Sequence, residues 1–217
     1  MAEKKGIFIN KVLGLIFAAI FPLSIYFQSE SLIILATILC LFIYNFRRSL
    51  KTNSLISTAV TVFGIFYIAW LFSFIIKVKD LSDGALWVFY ILAVTKLGDT
   101  AAYFVGKWHG KRPLLPHISP NKTVEGAVAN LIACILVSVG STFYLPDVNL
   151  IHLFILGTIL GVLAQLGDLA ESLIKRDVEV KDSGSIPGLG GILDVMDSLL
   201  FTVPFAYYYF TTFIGLS

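Results

Sequence analysis

Six acidic residues stand within or at the ends of long apolar runs: Asp99, Glu125, Asp168, Glu171, Asp194 and Asp197. A carboxylate at mid-span costs about 2.5–3.5 kcal/mol on insertion scales, so each of the six needs a chemical reason. Asp168 and Glu171 are three residues apart, as are Asp194 and Asp197, and on helices each pair projects from one face. Four carboxylates held close together repel unless a cation lies among them. All-oxygen ligation suits Mg²⁺, Mn²⁺ or Ca²⁺ better than zinc. Asp168, Glu171, Asp194 and Asp197 are therefore the expected metal ligands, for an ion that helps to bind a nucleoside triphosphate. The competing reading is a set of interfacial acids paired with Lys122, Lys175 or Arg176.

Two polar segments could supply the anion-binding half of that chemistry. The run Ser119-Pro120-Asn121-Lys122-Thr123-Val124-Glu125-Gly126 opens an apolar stretch, where free backbone N–H groups at a helix start favour an anion. Lys122 and the hydroxyls of Ser119 and Thr123 add donors, although Thr123 or Ser119 could equally be a plain helix cap. The second segment runs from Ser172 through Lys175, Arg176, Lys181, Asp182 and Gly184 to Pro187-Gly188-Leu189-Gly190-Gly191, and on into Asp194. Glycines let backbone amides approach phosphate, and Lys and Arg neutralise it. Taken with the flanking aspartates, this constellation describes metal-assisted phosphoryl or nucleotidyl transfer.

The elements that must position these residues are membrane helices. The 217-residue chain is 57% hydrophobic and only 14% charged, and its mean hydropathy of +0.87 is outside the soluble range. Crossing a ~30 Å hydrocarbon core takes about 20 apolar residues. Seven stretches approach that length, at 8–27, 31–46, 55–76, 84–106, 123–145, 150–172 and 192–215. The first follows Lys4 and Lys5 and is expected to be a retained helix, with no clear small-residue cleavage site to mark a signal peptide.

With the N-terminus inside, thirteen of the sixteen Lys and Arg residues fall on the cytoplasmic side, and only Lys77 and Lys79 fall opposite. Lys96 lies within a span. All six acids then sit in the cytoplasmic parts of their helices. The expected fold is a single all-α polytopic membrane domain over 1–217, with N-terminal spans at 8–76 and a signature region at 84–215. Cys40 and Cys134 are isolated in apolar runs and read as packing residues. His109 and His117 have no partner at zinc spacing.

These motifs resemble the phosphatidate cytidylyltransferases, or CDP-diacylglycerol synthases. Ser172, Lys175, Arg176, Lys181, Asp182, Gly184, Pro187, Gly188, Gly190, Gly191, Asp194 and Asp197 fall on that family's C-terminal signature. The segments at 99–103, 119–126 and 167–172 are similar to family segments too, so the likeness covers about residues 95 to 200. Leu189 stands where the family usually has His, Val195 where it usually has Arg, and the stretch between Gly184 and Pro187 is one residue short.

The resemblance implies Mg²⁺-dependent transfer of a cytidylyl group from CTP to phosphatidic acid at the cytoplasmic face of the inner membrane. Mn²⁺ could replace Mg²⁺, and an additional monovalent cation stays open. The resemblance further implies that Asp168, Asp194, Lys175 and Asp182 are catalytic. Asp99, Ser119, Asn121, Lys122, Thr123, Glu125, Ser172, Arg176, Lys181, Gly190 and Gly191 would bind substrate. The expected partners are CTP, phosphatidic acid and membrane lipids, without nucleic acid, and a homodimer stays open. The alternatives are a CTP-dependent polyprenol or phytol kinase, a cation-coupled transporter and an inactive homologue.

Overall fold

A computed structural model describes residues 10–27, 29–48, 54–145, 147–179 and 191–216. The order of elements is α1 (Lys11–Tyr26), α2 (Glu30–Arg48), α3 (Ser54–Gly64), α4 (Leu71–Lys79), α5 (Gly84–His109), β1 (Pro113–Leu115), β2 (Ser119–Thr123), α6 (Val124–Gly140), α7 (Leu150–Asp177) and α8 (Ile192–Tyr209). A π-helical segment, Ile65–Trp70, joins α3 to α4, and a second, Phe210–Ile214, extends α8. The chain forms two compact units, one ending at Lys77 and one beginning at Val78.

Among the described residues, four helices are long and apolar enough to cross a membrane: Leu55–Lys79, Gly84–His109, Val124–Phe143 and Leu150–Asp177. They fall on four of the seven expected stretches. The protein is accordingly a helical, multi-pass membrane protein. Two of these helices run past the apolar stretch, to His109 and to Asp177. Their last turns carry Lys107, and Lys175 and Arg176, cationic groups that suit the negative end of a helix dipole. The helices Lys11–Tyr26 and Glu30–Phe46 are apolar but shorter.

In the first unit, Phe17, Phe21, Ile65 and Ala69 form a buried cluster, with Cys40 packed against it. Phe66, Trp70 and Phe74 stack edge-on along the π-helical segment, at centroid distances of 5.8 and 5.4 Å. Lys77 pairs with Glu30 at 2.5 Å, and Thr37 and Thr61 return their hydroxyls to carbonyls one turn back.

In the second unit the helices are drawn together by small residues and buried hydroxyls, because lipid offers no hydrophobic drive between helices. Gly157 and Gly161 on α7 face α6. A Cβ at 157 would come within 2.7 Å of Ser138 Cβ, and one at 161 within 3.1 Å of Cys134 Cβ. Ser138 Oγ meets Tyr90 OH at 2.5 Å and donates to the Leu153 carbonyl, which ties α5, α6 and α7 together. Trp87 and Phe210 join α5 to the end of α8, with ring centroids 4.3 Å apart.

The all-helical expectation needs one correction. Residues 113–122, expected as loop, and Thr123, expected to open a span, form a two-stranded antiparallel ribbon pairing Pro113 with Thr123 and Leu115 with Ser119. Neither strand has a strong β pattern, and each contains a proline. Tertiary bonds secure the ribbon. Glu125 Oε2 accepts from the amides of Lys111 and Arg112, at 3.0 and 3.2 Å. Val124 N–H donates to the Arg112 carbonyl, and Arg176 Nε on α7 donates to the Ile118 carbonyl in the turn.

Candidate active site

The ribbon delivers β2 against α5, α6 and α7 and leaves a cleft of about 530 Å³, a size usual for a small-molecule site. Its polar wall includes Asp99, Lys107, Ser119, Asn121, Lys122, Thr123, Asn130, Gln165 and Asp168. Tyr103 lies beneath Lys107, whose ammonium is 5.7 Å from the ring centroid.

The charged groups form a run in which two lysines, Lys122 and Lys175, hold four carboxylates. Lys122 Nζ on β2 forms an ion pair with Asp168 Oδ2 at 2.6 Å. That ammonium nitrogen is shielded from solvent. Asp197 lies against both Asp168 and Glu171. Lys175 then bridges Glu171, at 3.2 Å, and Asp194, at 2.5 Å. Asp194 also caps its own helix by accepting from Gly191 N–H through Oδ2 at 2.6 Å. The closeness of Asp168 to Asp197 has a backbone cause: a Cβ at Gly167 would collide with the Asp197 carbonyl, so only glycine lets α8 settle onto α7 there.

Asp99 is held from two sides. Asn130 Nδ2 donates to Oδ1 at 3.4 Å, and Gln165 Nε2 steadies Asn130 by donating to its Oδ1 at 3.2 Å. On the other side Ser198 Oγ donates to Asp99 Oδ2 at 3.0 Å.

Several expected site residues thus come together: Asp99, Ser119, Asn121, Lys122, Thr123 and Asp168 on the cleft, with Glu171, Lys175, Asp194 and Asp197 continuing from it. Thr123 also serves as the N-cap of α6, accepting from Gly126 N–H at 3.1 Å. Glu125 stands apart from the cleft lining and holds the ribbon, and Arg176 reaches the ribbon turn. Ser172 and Gly191 do not line the cleft. Lys181, Asp182 and Gly190, with Gly184 and Leu189, lie outside the described residues. Sequence reasoning missed Asn130, Gln165 and Ser198, and treated Lys96 only as a charge inside a span. Polar groups buried in otherwise apolar helices were the signal available.

Among the described residues, no group of three or more His, Cys, Asp or Glu side chains is arranged to hold a metal ion by itself. Mg²⁺ commonly takes only one or two carboxylates and completes its shell with water and substrate phosphates. The donors here fit that role. Asp168 and Asp197 are adjacent like charges, and Glu171 Oε1 is buried without a hydrogen-bond partner.

The match to known sequences is extensive. A model of the cytidylyltransferase family covers residues 1–213. The chain belongs to the cytidylyltransferase family. It is 45% identical over 150 residues to a phosphatidate cytidylyltransferase of Bacillus subtilis (strain 168), an alignment covering 68% of this chain and 56% of that one. A phosphatidate cytidylyltransferase of Chlamydia muridarum is 45% identical over 130 residues, covering 57% and 43%. The uncharacterized protein YnbB of Escherichia coli (strain K12) is 38% identical over 151 residues, covering 69% and 50%. The chain spans about half the length of these curated relatives.

Proposed function

We propose that this chain is a phosphatidate cytidylyltransferase, converting CTP and phosphatidic acid to CDP-diacylglycerol and pyrophosphate. The observation that carries the reading is the run of four carboxylates, Asp168, Asp197, Glu171 and Asp194, met by Lys122 at one end and by Lys175 near the other, beginning on a cleft in a membrane-embedded bundle. The family and the names of two relatives agree with it.

In this reaction an oxygen of the phosphatidate phosphate attacks the α-phosphorus of CTP. The new P–O bond forms as the bond from the α-phosphorus to the bridging oxygen breaks, and pyrophosphate leaves with the electron pair. The attacking phosphate is already ionised near neutral pH, so no strong base is required. The barrier is repulsion between anions, and fixed cations lower it. Lys122 and Lys175 supply such charge from the bundle, and Lys181 and Arg176 are assigned to the same work. Asp99, Ser119, Asn121 and Thr123 line the nucleotide's binding surface. Asp182, Ser172, Glu125, Gly190 and Gly191 complete the assignment from the motif.

Mg²⁺, or Mn²⁺ in its place, would be held by Asp168 and Asp197 with help from Glu171 or Asp194, and would screen phosphate charge there. Seven spans with the N-terminus inside set the cleft at the cytoplasmic face of the inner membrane, where CTP arrives from water and the diacyl tails stay in lipid. The excess of Lys and Arg on that side supports this orientation.

The test is to incubate the purified protein with phosphatidic acid, Mg²⁺ and α-labelled CTP, then extract the lipid. Label recovered as CDP-diacylglycerol supports the reading. Transfer of γ-label instead would make the protein a lipid kinase, and no transfer from folded protein would refute both.

A further inference from the structure

Lys96 is a cation on α5, within a helix long and apolar enough to cross the membrane. Its ammonium has three donors, and the structure accounts for all three. Nζ donates to the Val195 carbonyl on α8 at 2.5 Å and to Ser198 Oγ at 2.8 Å, and it stands 3.4 Å from Asp99 Oδ2. Ser198, fully buried, accepts from Lys96 and passes its own hydroxyl proton toward Asp99 Oδ2. The lysine does not line the cleft. It reaches the cleft through Asp99, and its other two contacts, Val195 and Ser198, are on α8.

The position of those partners gives the contact its meaning. Asp99 is part of the cleft wall, whereas Val195 and Ser198 lie on the opening turns of α8 that carry Asp194 and Asp197. One ammonium thus fixes an acid of α5 and the two acids of α8 in a single register. A lysine present only to neutralise Asp99 would need no bond to the α8 backbone.

We infer that Lys96 is a positioning residue that locks the start of α8 to α5 through Val195 and Ser198, holding Asp99, Asp194 and Asp197 in the geometry for turnover. The inference rests on the cytidylyltransferase reading for its kinetic consequence and on the geometry alone for its structural one.

Two measurements on full-length Lys96→Met, Lys96→Arg and Ser198→Ala proteins test it: steady-state kinetics with CTP and phosphatidic acid, and amide hydrogen exchange. Lys96→Met is expected to lower kcat about tenfold or more with KM for CTP changed less than about twofold, because misplaced groups cost the transition state and not binding. Lys96→Arg should recover most of that loss. Amides in 191–199 should exchange faster in Lys96→Met, with those of α6 unchanged. Ser198→Ala should show the same pattern in milder form and keeps the test open if Lys96→Met does not fold. Wild-type kcat and unchanged exchange in 191–199 would overturn the inference. So would exchange that rises equally in every helix, the mark of general destabilisation. If the wild-type protein fails to make CDP-diacylglycerol, the functional reading falls, and hydrogen exchange alone still decides whether Lys96 locks α8.

Discussion

Lys122 on the ribbon and Asp168 on α7 meet at 2.6 Å across the cleft, joining the anion-binding segment to the run of acids. Each neutralises the other. Removing either one strands a partly buried charge, and this is costlier than removing both. Asp168→Asn and Lys122→Met are each expected to lower kcat/KM for CDP-diacylglycerol formation by roughly 100-fold or more, as loss of a fixed charge at a developing anion does. The double variant should lose less than the product of the two single losses. Kinetics on protein shown to be folded by size-exclusion chromatography and circular dichroism would check this, and strictly multiplicative losses would refute the coupling.

Chelation with EDTA is expected to stop turnover, and added Mg²⁺ to restore it. If Asp168 and Asp197 share the ion, Asp197→Asn should raise the Mg²⁺ concentration needed for half-maximal rate by about tenfold or more, since losing even an outer partner of a metal ligand costs that much. Titrating Mg²⁺ at saturating CTP gives that value directly, and an unchanged Mg²⁺ requirement would take Asp197 out of the ligand set.

Glu125 binds two backbone amides with one carboxylate oxygen, so its role is to anchor the ribbon. Glu125→Ala should free residues 111–118 to exchange and to proteolysis, and lower the local opening energy by about 1.5–3 kcal/mol, the worth of a hydrogen bond to a charged group. Activity should fall along with it, since Ser119, Asn121 and Lys122 travel with the ribbon. Limited proteolysis reads the first effect. Wild-type protease resistance in Glu125→Ala would reject it.

Gly167→Ala places a methyl group where the Asp197 carbonyl sits. Overpacking of this kind costs about 1–3 kcal/mol, and the thermal midpoint in detergent should fall accordingly. Ala164→Gly, one turn earlier on the same buried face, removes volume without this collision and serves as the comparison. Should Gly167→Ala melt with wild type, the α7–α8 contact is looser than described.

Much of this architecture could be read from residue order. The spacings Asp168–Glu171 and Asp194–Asp197 put each acid pair on one helix face, and four apolar runs became helices with ends within a few residues of expectation. Thr123 was recognisable as a cap from its place before an apolar run. The ribbon was not legible, because Pro113 and Pro120 argue against strands and its stability comes from Glu125 and Arg176, on other elements. Asn130 and Gln165 were passed over because their value lies in reaching each other from different helices, α6 and α7. Lys96 was read only as a charge inside a span, since a one-dimensional reading does not reveal that Val195 and Ser198 lie beside it.

At Gly167 the seam between α7 and α8 is main chain against main chain. The peptide unit, the least variable part of any protein, therefore acts as the gauge that sets the distance between Asp168 and its neighbour Asp197. Exposed side chains such as Leu166 and Leu173 can drift without resetting that gauge. Homologues living in bilayers of different thickness and composition could therefore diverge freely on their outer surfaces and still carry the same two carboxylates at the same separation.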